Sequence, residues 1–83
     1  ISSRLREIDT PEHMALTEEI QSTVLKAIEE LPEDLRTAII LRELEGMSYE
    51  EISQTMDCPV GTVRSRLFRA RESIDNQLRE LLE

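Results

Sequence analysis

Residues 48–74 read SYEEISQTMDCPVGTVRSRLFRARESI, which contains two helical patterns separated by a short break. Ser48 and Glu51 form a capping box, which predicts a short helix over residues 49–56. Asp57-Cys58-Pro59 ends that helix, because proline lacks a backbone N–H and disfavours helical geometry in the residue before it. Helix, tight turn and helix in this order predict a helix-turn-helix unit, whose second helix enters the major groove of DNA.

The second helix of this unit, predicted over residues 60–82, has one apolar seam. Its apolar residues recur at steps of three or four, as on the buried face of an amphipathic helix. They are Val63, Leu67, Ala70, Ile74, Leu78 and Leu81. At about 100° per residue, other positions of the helix face away from this seam. These are Gly61, Ser65, Phe68, Arg69 and Glu72, with Arg64 on one flank. This outer face is the candidate DNA-binding surface.

The residue types on the outer face suit base recognition. Phe68 is the only phenylalanine in the chain, and its position turns it out of the apolar seam. In a major groove its ring can contact a thymine methyl group, while Arg64 and Arg69 can reach guanine edges or phosphates. Gly61 lets the backbone approach another surface closely, and Ser65 is small enough for the helix to lie deep in the groove.

Three residues that precede this helix are candidate phosphate contacts. Arg42 falls late in the preceding predicted helix, and Ser48 and Tyr49 lie at the start of the short one. Hydrogen-bond donors at a helix N-terminus suit phosphate, and such contacts fix the position of a protein on the duplex. For Ser48 the capping role alone explains the residue.

Two further arginines, Arg66 and Arg71, flank the apolar seam. Their long side chains can extend to a phosphate while their stems cover apolar surface. They can equally pair with Glu72 or Asp75 within the same helix. The sequence does not separate these two interpretations.

Two more helices are predicted before this unit. The first begins at Thr10-Pro11-Glu12 or at Thr17-Glu18-Glu19, since both stretches offer a cap and early acidic residues. Its apolar residues share one face. They are Ile20, Val24, Ala27, Ile28 and Leu31. Leu31-Pro32-Glu33-Asp34 ends it and starts a second helix, which runs to about Glu45 with Gly46 as its C-terminal cap. We therefore expect an all-α fold of four helices.

The charge of the 83-residue chain is distributed unevenly around a net value of −8. Residues 1–57 hold fourteen acids and five bases, residues 58–71 hold four arginines and no acid, and residues 72–83 hold four acids and one arginine. The net charge argues against nucleic acid, but the basic window is a localised anion-binding surface. A solvated helix face would explain these charges as well.

The sequence contains no pattern typical of an enzyme or a metal site. It has no nucleophile–base pair and no phosphate-binding loop, and His13 and Cys58 lie too far apart for metal-ligand spacing. We therefore expect no catalysis, no metal and no cofactor. The lone cysteine fits a reducing cytoplasm, and no apolar run suits a signal peptide or a membrane span. Because the chain begins at Ile1, we expect a fragment of a longer protein.

Residues 31–74, LPEDLRTAIILRELEGMSYEEISQTMDCPVGTVRSRLFRARESI, resemble region 4 of the extracytoplasmic-function sigma factors, in particular the sigma-E-like, envelope-stress group. The run PVGTVRSRL over residues 59–67 is similar to the recognition helix of that family, and SYEEI over residues 48–52 to the helix before it. The resemblance is looser over residues 10–30. It implies one helix-turn-helix domain over residues 10–83, preceded by a flexible segment over residues 1–9.

The resemblance also implies a function. Such regions bind the minus-35 promoter element, of GGAAC type, while docked on the β-subunit flap of core RNA polymerase, and an anti-sigma factor often covers them. Matching positions imply base contacts from four residues and backbone contacts from four others. The base contacts are Arg64, Ser65, Phe68 and Arg69, and the backbone contacts are Arg42, Tyr49, Thr62 and Arg66. The family's promoter-melting region is absent, so we do not expect the fragment alone to direct initiation.

The sequence departs from the usual helix-turn-helix pattern at two positions. Ser53 stands where alanine is usual, and Asp57 stands at the turn where glycine is common. Two alternative functions remain at this point. One is the helix-turn-helix output domain of a transcription activator, against which the long first helix and the LPEDLR segment argue. The other is a helical protein-binding module, which the net charge favours.

Overall fold

A computed structural model describes the backbone of residues 11–83 and the side chains from Ala15 onward. These residues form four helices and are otherwise turns and loops. The helices are α1 (Pro11–Glu29), α2 (Glu33–Glu43), α3 (Tyr49–Met56) and α4 (Val60–Leu82). The predicted all-α fold and the bounds of α3 and α4 are confirmed. The segment expected to be a linker, residues 1–9, lies outside the described residues.

The bounds of the first two helices refine the sequence prediction. Of the two predicted starts for α1, the structure has the earlier one, because Pro11 is already helical. α2 ends at Glu43, two residues before the predicted end. The N–H groups of Leu44 and Glu45 both donate to the carbonyl of Ile40, so the regular helical ladder stops there. Gly46 then turns the chain away with a φ of 68°, a conformation that glycine adopts without steric cost.

The hydrophobic core lies where α4 packs against α2 and α3, and α4 also packs against α1. The largest fully buried side chains are Ile52 of α3 and Val63 and Leu67 of α4. Burying each of these side chains contributes about 1.5–3 kcal/mol. Others complete the core cluster, namely Leu31, Ala38, Ile39 and Ala70. Because α4 supplies three of these buried residues, its orientation is fixed by the core.

The turn between α3 and α4 explains both departures from the usual helix-turn-helix pattern. Asp57 has a φ of 53°, in the left-handed region that aspartate tolerates better than most residues. The Ser53 hydroxyl donates to the carbonyl of Cys58, and the Cys58 N–H donates to the carbonyl of Ser53 at 3.0 Å. Serine at this position therefore ties the end of α3 to the turn, an interaction that alanine could not make.

No helix in the described part of the chain combines the length and the apolar character needed to cross a membrane.

Candidate nucleic-acid interface

The outer face of α4 is exposed, as its periodicity predicts. Gly61, Arg64, Ser65, Phe68 and Arg69 are all solvent-exposed. The opposite face holds the buried Val63, Leu67 and Ala70, with Ile74 packed partly against the core. Since the core fixes one face of the helix, the other face presents a defined surface.

Phe68 is the most informative residue on this surface, because its side chain has 67% of its area exposed. An exposed phenylalanine contributes little to the stability of the folded chain. Its neighbours along the helix, Arg64 and Arg69, pair with no acid among residues 15–83. The surface therefore combines one apolar ring with two available guanidinium groups, a combination that suits base edges and phosphates.

The first turn of α4 favours an anion. Pro59 occupies the cap position and offers no side-chain hydrogen bond, so the first N–H groups of the helix are not capped by a side chain. Over residues 60–63 there is no acid, whereas α2 and α3 each begin with two. The positive end of the α4 dipole is therefore not neutralised locally.

Arg66 and Arg71 form ion pairs with α2 and not within α4, so one of the two interpretations that the sequence left open, pairing with Glu72 or Asp75, is wrong. Arg66 Nε lies 3.6 Å from a carboxylate oxygen of Asp34, and Arg71 Nη2 lies 2.9 Å from Glu43 Oε1. Periodicity along a single helix could not reveal partners on another one. The structure does not test a phosphate contact by Arg66.

The Arg66 guanidinium also reaches into the turn before α4. Its Nη1 lies 3.5 Å from Cys58 Sγ and 4.0 Å from Met56 Sδ. Arg66 is half-buried, in contrast to the exposed Arg64 and Arg69. In the free domain, therefore, Arg66 connects α4 to the turn before it and to α2.

A cluster around Tyr49 joins α2, α3 and α4. The guanidinium carbon of Arg42 lies 4.9 Å from the centroid of the Tyr49 ring, and that of Arg64 lies 5.9 Å from it. Both distances are within the range of a cation–π interaction. Hydrogen bonding to Glu43, and secondarily to Tyr49, raises the pKa of Arg71. The sequence placed Arg42, Tyr49 and Arg64 in one interface but did not reveal that they contact one another.

The remaining candidates lie at the edges of this surface. Ser48 accepts a hydrogen bond from the Glu51 N–H at 3.1 Å, and Glu51 Oε1 accepts one from the Ser48 N–H at 2.8 Å. The capping box is thus confirmed. Hydrogen bonds from the backbone and side chain of Ser48 lower the pKa of Glu51.

Two other candidate residues are less exposed than the outer face of α4. Thr62 is half-buried, and Arg42 is half-buried and donates to the Met47 carbonyl at 2.8 Å. No group of His, Cys, Asp and Glu among the described residues is arranged to hold a metal ion.

Comparison with known proteins identifies relatives over nearly the whole chain. The sequence is 63% identical over 78 residues to the ECF RNA polymerase sigma-E factor of Escherichia coli (strain K12), which covers 94% of this chain and 41% of that protein. The same values hold for the sigma-E factor of Salmonella typhimurium (strain LT2). The sigma-E factor of Haemophilus influenzae is 57% identical over 82 residues, 99% of this chain and 43% of that protein.

The chain thus spans about two fifths of the length of these curated relatives. Residues 21–74, which include α2, α3 and most of α4, match the family described as Sigma-70, region 4. The matched segment contains the helix-turn-helix and every residue of the candidate interface. The chain therefore belongs to the sigma-70 region 4 family.

Proposed function

We propose that this chain is the part of an RNA polymerase sigma factor that binds the minus-35 element of a promoter. The observation that carries the proposal is the exposed outer face of α4, where Phe68 stands between Arg64 and Arg69. Membership of the region 4 family supports it. The role is one of binding and positioning and includes no catalytic step.

Base recognition is assigned to the N-terminal half of α4. In a helix-turn-helix complex these residues face the base edges of the major groove. Arg64 and Arg69 would donate to guanine, Phe68 would contact a thymine methyl group, and Ser65 would leave room for close approach. The exposed Gly61 allows the same close approach at the start of the helix.

Phosphate contacts are assigned to residues around the start of α3 and α4. Arg42 uses one donor on the Met47 carbonyl, and a guanidinium has five N–H donors, so others remain for phosphate. Tyr49 lies at the start of α3, and Thr62 and Arg66 lie in the first two turns of α4. Such contacts set the register of the protein and carry no sequence information themselves.

The proposed partners of the folded domain are core RNA polymerase, through its β-subunit flap, and an anti-sigma factor. Support for the polymerase comes from the names of the sigma-E relatives, and large exposed leucines offer apolar contact area to a protein partner. These are Leu25 on α1 and Leu44 at the end of α2. We also propose that residues 10–83 act as one domain, in the cytoplasm where promoter DNA and polymerase meet.

Binding to two duplexes at low salt tests the proposed function. One duplex carries a GGAAC-type element and the other a scrambled version of the same composition. The chain is expected to prefer the first, and Arg69→Ala to lose about 1–3 kcal/mol on it and to discriminate less. Arg79→Ala, on the same helix but ten residues further along, serves as the matched control. Equal affinity of the unmodified chain for both duplexes would remove base recognition from the proposal.

A further inference from the structure

The cluster around Tyr49 brings positively charged side chains from two helices onto one aromatic ring. Arg42 comes from α2 and Arg64 from α4, at 4.9 and 5.9 Å from the ring centroid. Tyr49 is the first residue of α3. Like charges repel, so two guanidinium groups are expected to approach the same side chain only where that side chain attracts both. The face of the tyrosine ring supplies that attraction.

The ring is a fixed platform, because its surroundings hold it from several sides. Tyr49 is half-buried and packs against the hydrophobic core. The Ser48–Glu51 capping box fixes the backbone at the start of α3. Arg42 is held by its 2.8 Å hydrogen bond to the Met47 carbonyl. A guanidinium that rests on this ring is therefore oriented relative to the whole helix-turn-helix.

Among the side chains of the cluster, Arg64 is the one whose orientation depends most on the Tyr49 ring. Its side chain is exposed and pairs with no acid among residues 15–83. A long, free side chain loses conformational entropy when it binds, and holding it beforehand in the bound orientation reduces that loss. A bidentate contact with guanine also depends on the plane of the guanidinium.

We propose that Tyr49 is a positioning residue whose ring holds the Arg64 guanidinium in the orientation that reaches a base edge. Tyr49 then determines sequence discrimination without touching a base, and its hydroxyl group is not required for this effect. The inference rests on the proposed function, in which Arg64 takes part in base recognition. The phosphate contact proposed above for Tyr49 is a separate role, because it uses the hydroxyl and affects the affinity for all duplexes equally.

The first test needs no DNA. The ring should shift the NMR resonances of the Arg64 side chain upfield in the free chain. Tyr49→Phe is expected to keep that shift, and Tyr49→Met, which retains apolar volume without a ring, is expected to abolish it. The side-chain resonances of Arg79 serve as the control and should not move. An Arg64 shift that is absent, or that survives in Tyr49→Met, would overturn the proposal whether or not the chain binds promoters.

The second test measures discrimination, the ratio of affinities for the GGAAC-type and scrambled duplexes. Arg64→Ala is expected to lower this ratio about ten-fold, at the low end for a base contact. The discrimination ratio of Tyr49→Phe should stay within about two-fold of that of the unmodified chain. Tyr49→Met should show most of the decrease in this ratio that Arg64→Ala shows. The Tyr49→Met/Arg64→Ala double variant should have the same discrimination ratio as Arg64→Ala alone, because the ring then has no Arg64 side chain to orient.

Two results of the second test would contradict the positioning role. One is a Tyr49→Met variant that binds with full discrimination. The other is a Tyr49→Phe variant that loses as much discrimination as Tyr49→Met, which would assign the effect to the hydroxyl and not to the ring. Thermal unfolding of each variant verifies that it is folded, and Tyr49→Leu replaces Tyr49→Met if the latter is not. An unmodified chain that does not discriminate would count against the proposed function, and the resonance test would still decide the positioning role.

Discussion

At the scale of single residues, the two glycines of the chain have different roles. Gly46 has a φ of 68°, so any side chain there is strained. Gly61 lies in the first turn of α4, and a methyl group added to it would meet nothing within 4 Å. The fold therefore does not require glycine at position 61. If glycine is needed at position 61, the reason is that another molecule approaches the backbone closely there.

Gly61→Ala separates folding from binding. Because alanine favours a helix more than glycine does, we expect the substitution to stabilise the chain by up to about 1 kcal/mol, measured by thermal or urea unfolding. We expect the same substitution to weaken binding to the GGAAC-type duplex, since the added methyl group would lie on the face proposed to approach DNA. Gly46→Ala is the contrasting variant and should destabilise the fold. Unchanged affinity in Gly61→Ala would place position 61 outside the interface.

At the scale of helices, the starts and ends of α3 and α4 were predictable because local chemistry sets them. The capping box begins α3, and Asp57-Cys58-Pro59 separates the two helices. The apolar seam likewise gave the orientation of α4. The partners of Arg66 and Arg71 were not predictable, since they lie on α2, some 30 residues away in sequence. The contacts of Tyr49 with Arg42 and Arg64 depend on the same packing between helices.

Ser48→Ala tests the capping box. We expect it to destabilise the chain by about 1 kcal/mol near neutral pH, measured by urea unfolding. Ser22→Ala, at an exposed position in α1, is the matched control and should be close to neutral.

The same variant predicts a pH dependence. Hydrogen bonds from Ser48 lower the pKa of Glu51 in the folded chain. Their contribution is therefore fully present above the unfolded-state pKa of about 4.3, and is lost as the pH falls through the lower folded-state pKa. Ser48→Ala keeps the backbone N–H, which lowers the pKa of Glu51 most, and removes only the hydroxyl. The difference in stability between the unmodified chain and Ser48→Ala should therefore shrink over that acidic range by the share that the hydroxyl contributes. A difference that grows on acidification would contradict the assigned role of Glu51.

At the scale of the whole molecule, a net charge of −8 has to be reconciled with the proposed DNA binding. The sequence localised the positive charge to residues 58–71, and the structure shows which arginines of this window have no acidic partner among residues 15–83. Arg66 and Arg71 are paired with acids of α2, so the available charge on the outer face comes from Arg64 and Arg69. We therefore expect the domain to bind DNA weakly by itself, because the acidic remainder repels DNA of any sequence.

This distribution predicts weak binding that falls steeply with salt. Each phosphate contacted adds about −0.9 to the slope of log K against log salt concentration. Replacing the exposed Glu18 and Glu19 of α1 with glutamine should strengthen binding to random DNA and leave the discrimination ratio unchanged. Fluorescence titrations at several salt concentrations measure both quantities. Tight binding to random DNA that salt does not weaken would contradict the conclusion that only Arg64 and Arg69 offer available positive charge on the outer face of α4.

The central claim is that the outer face of α4 enters the major groove, and mapping of backbone amide NMR shifts during titration with the GGAAC-type duplex tests it most directly. The largest changes are expected at Gly61, Ser65, Phe68 and Arg69, with smaller ones at the start of α3. Exposed residues of α1, such as Ser22 and Leu25, should hardly change. Changes concentrated on α1, with the Phe68 and Arg69 amides unmoved, would contradict the claim.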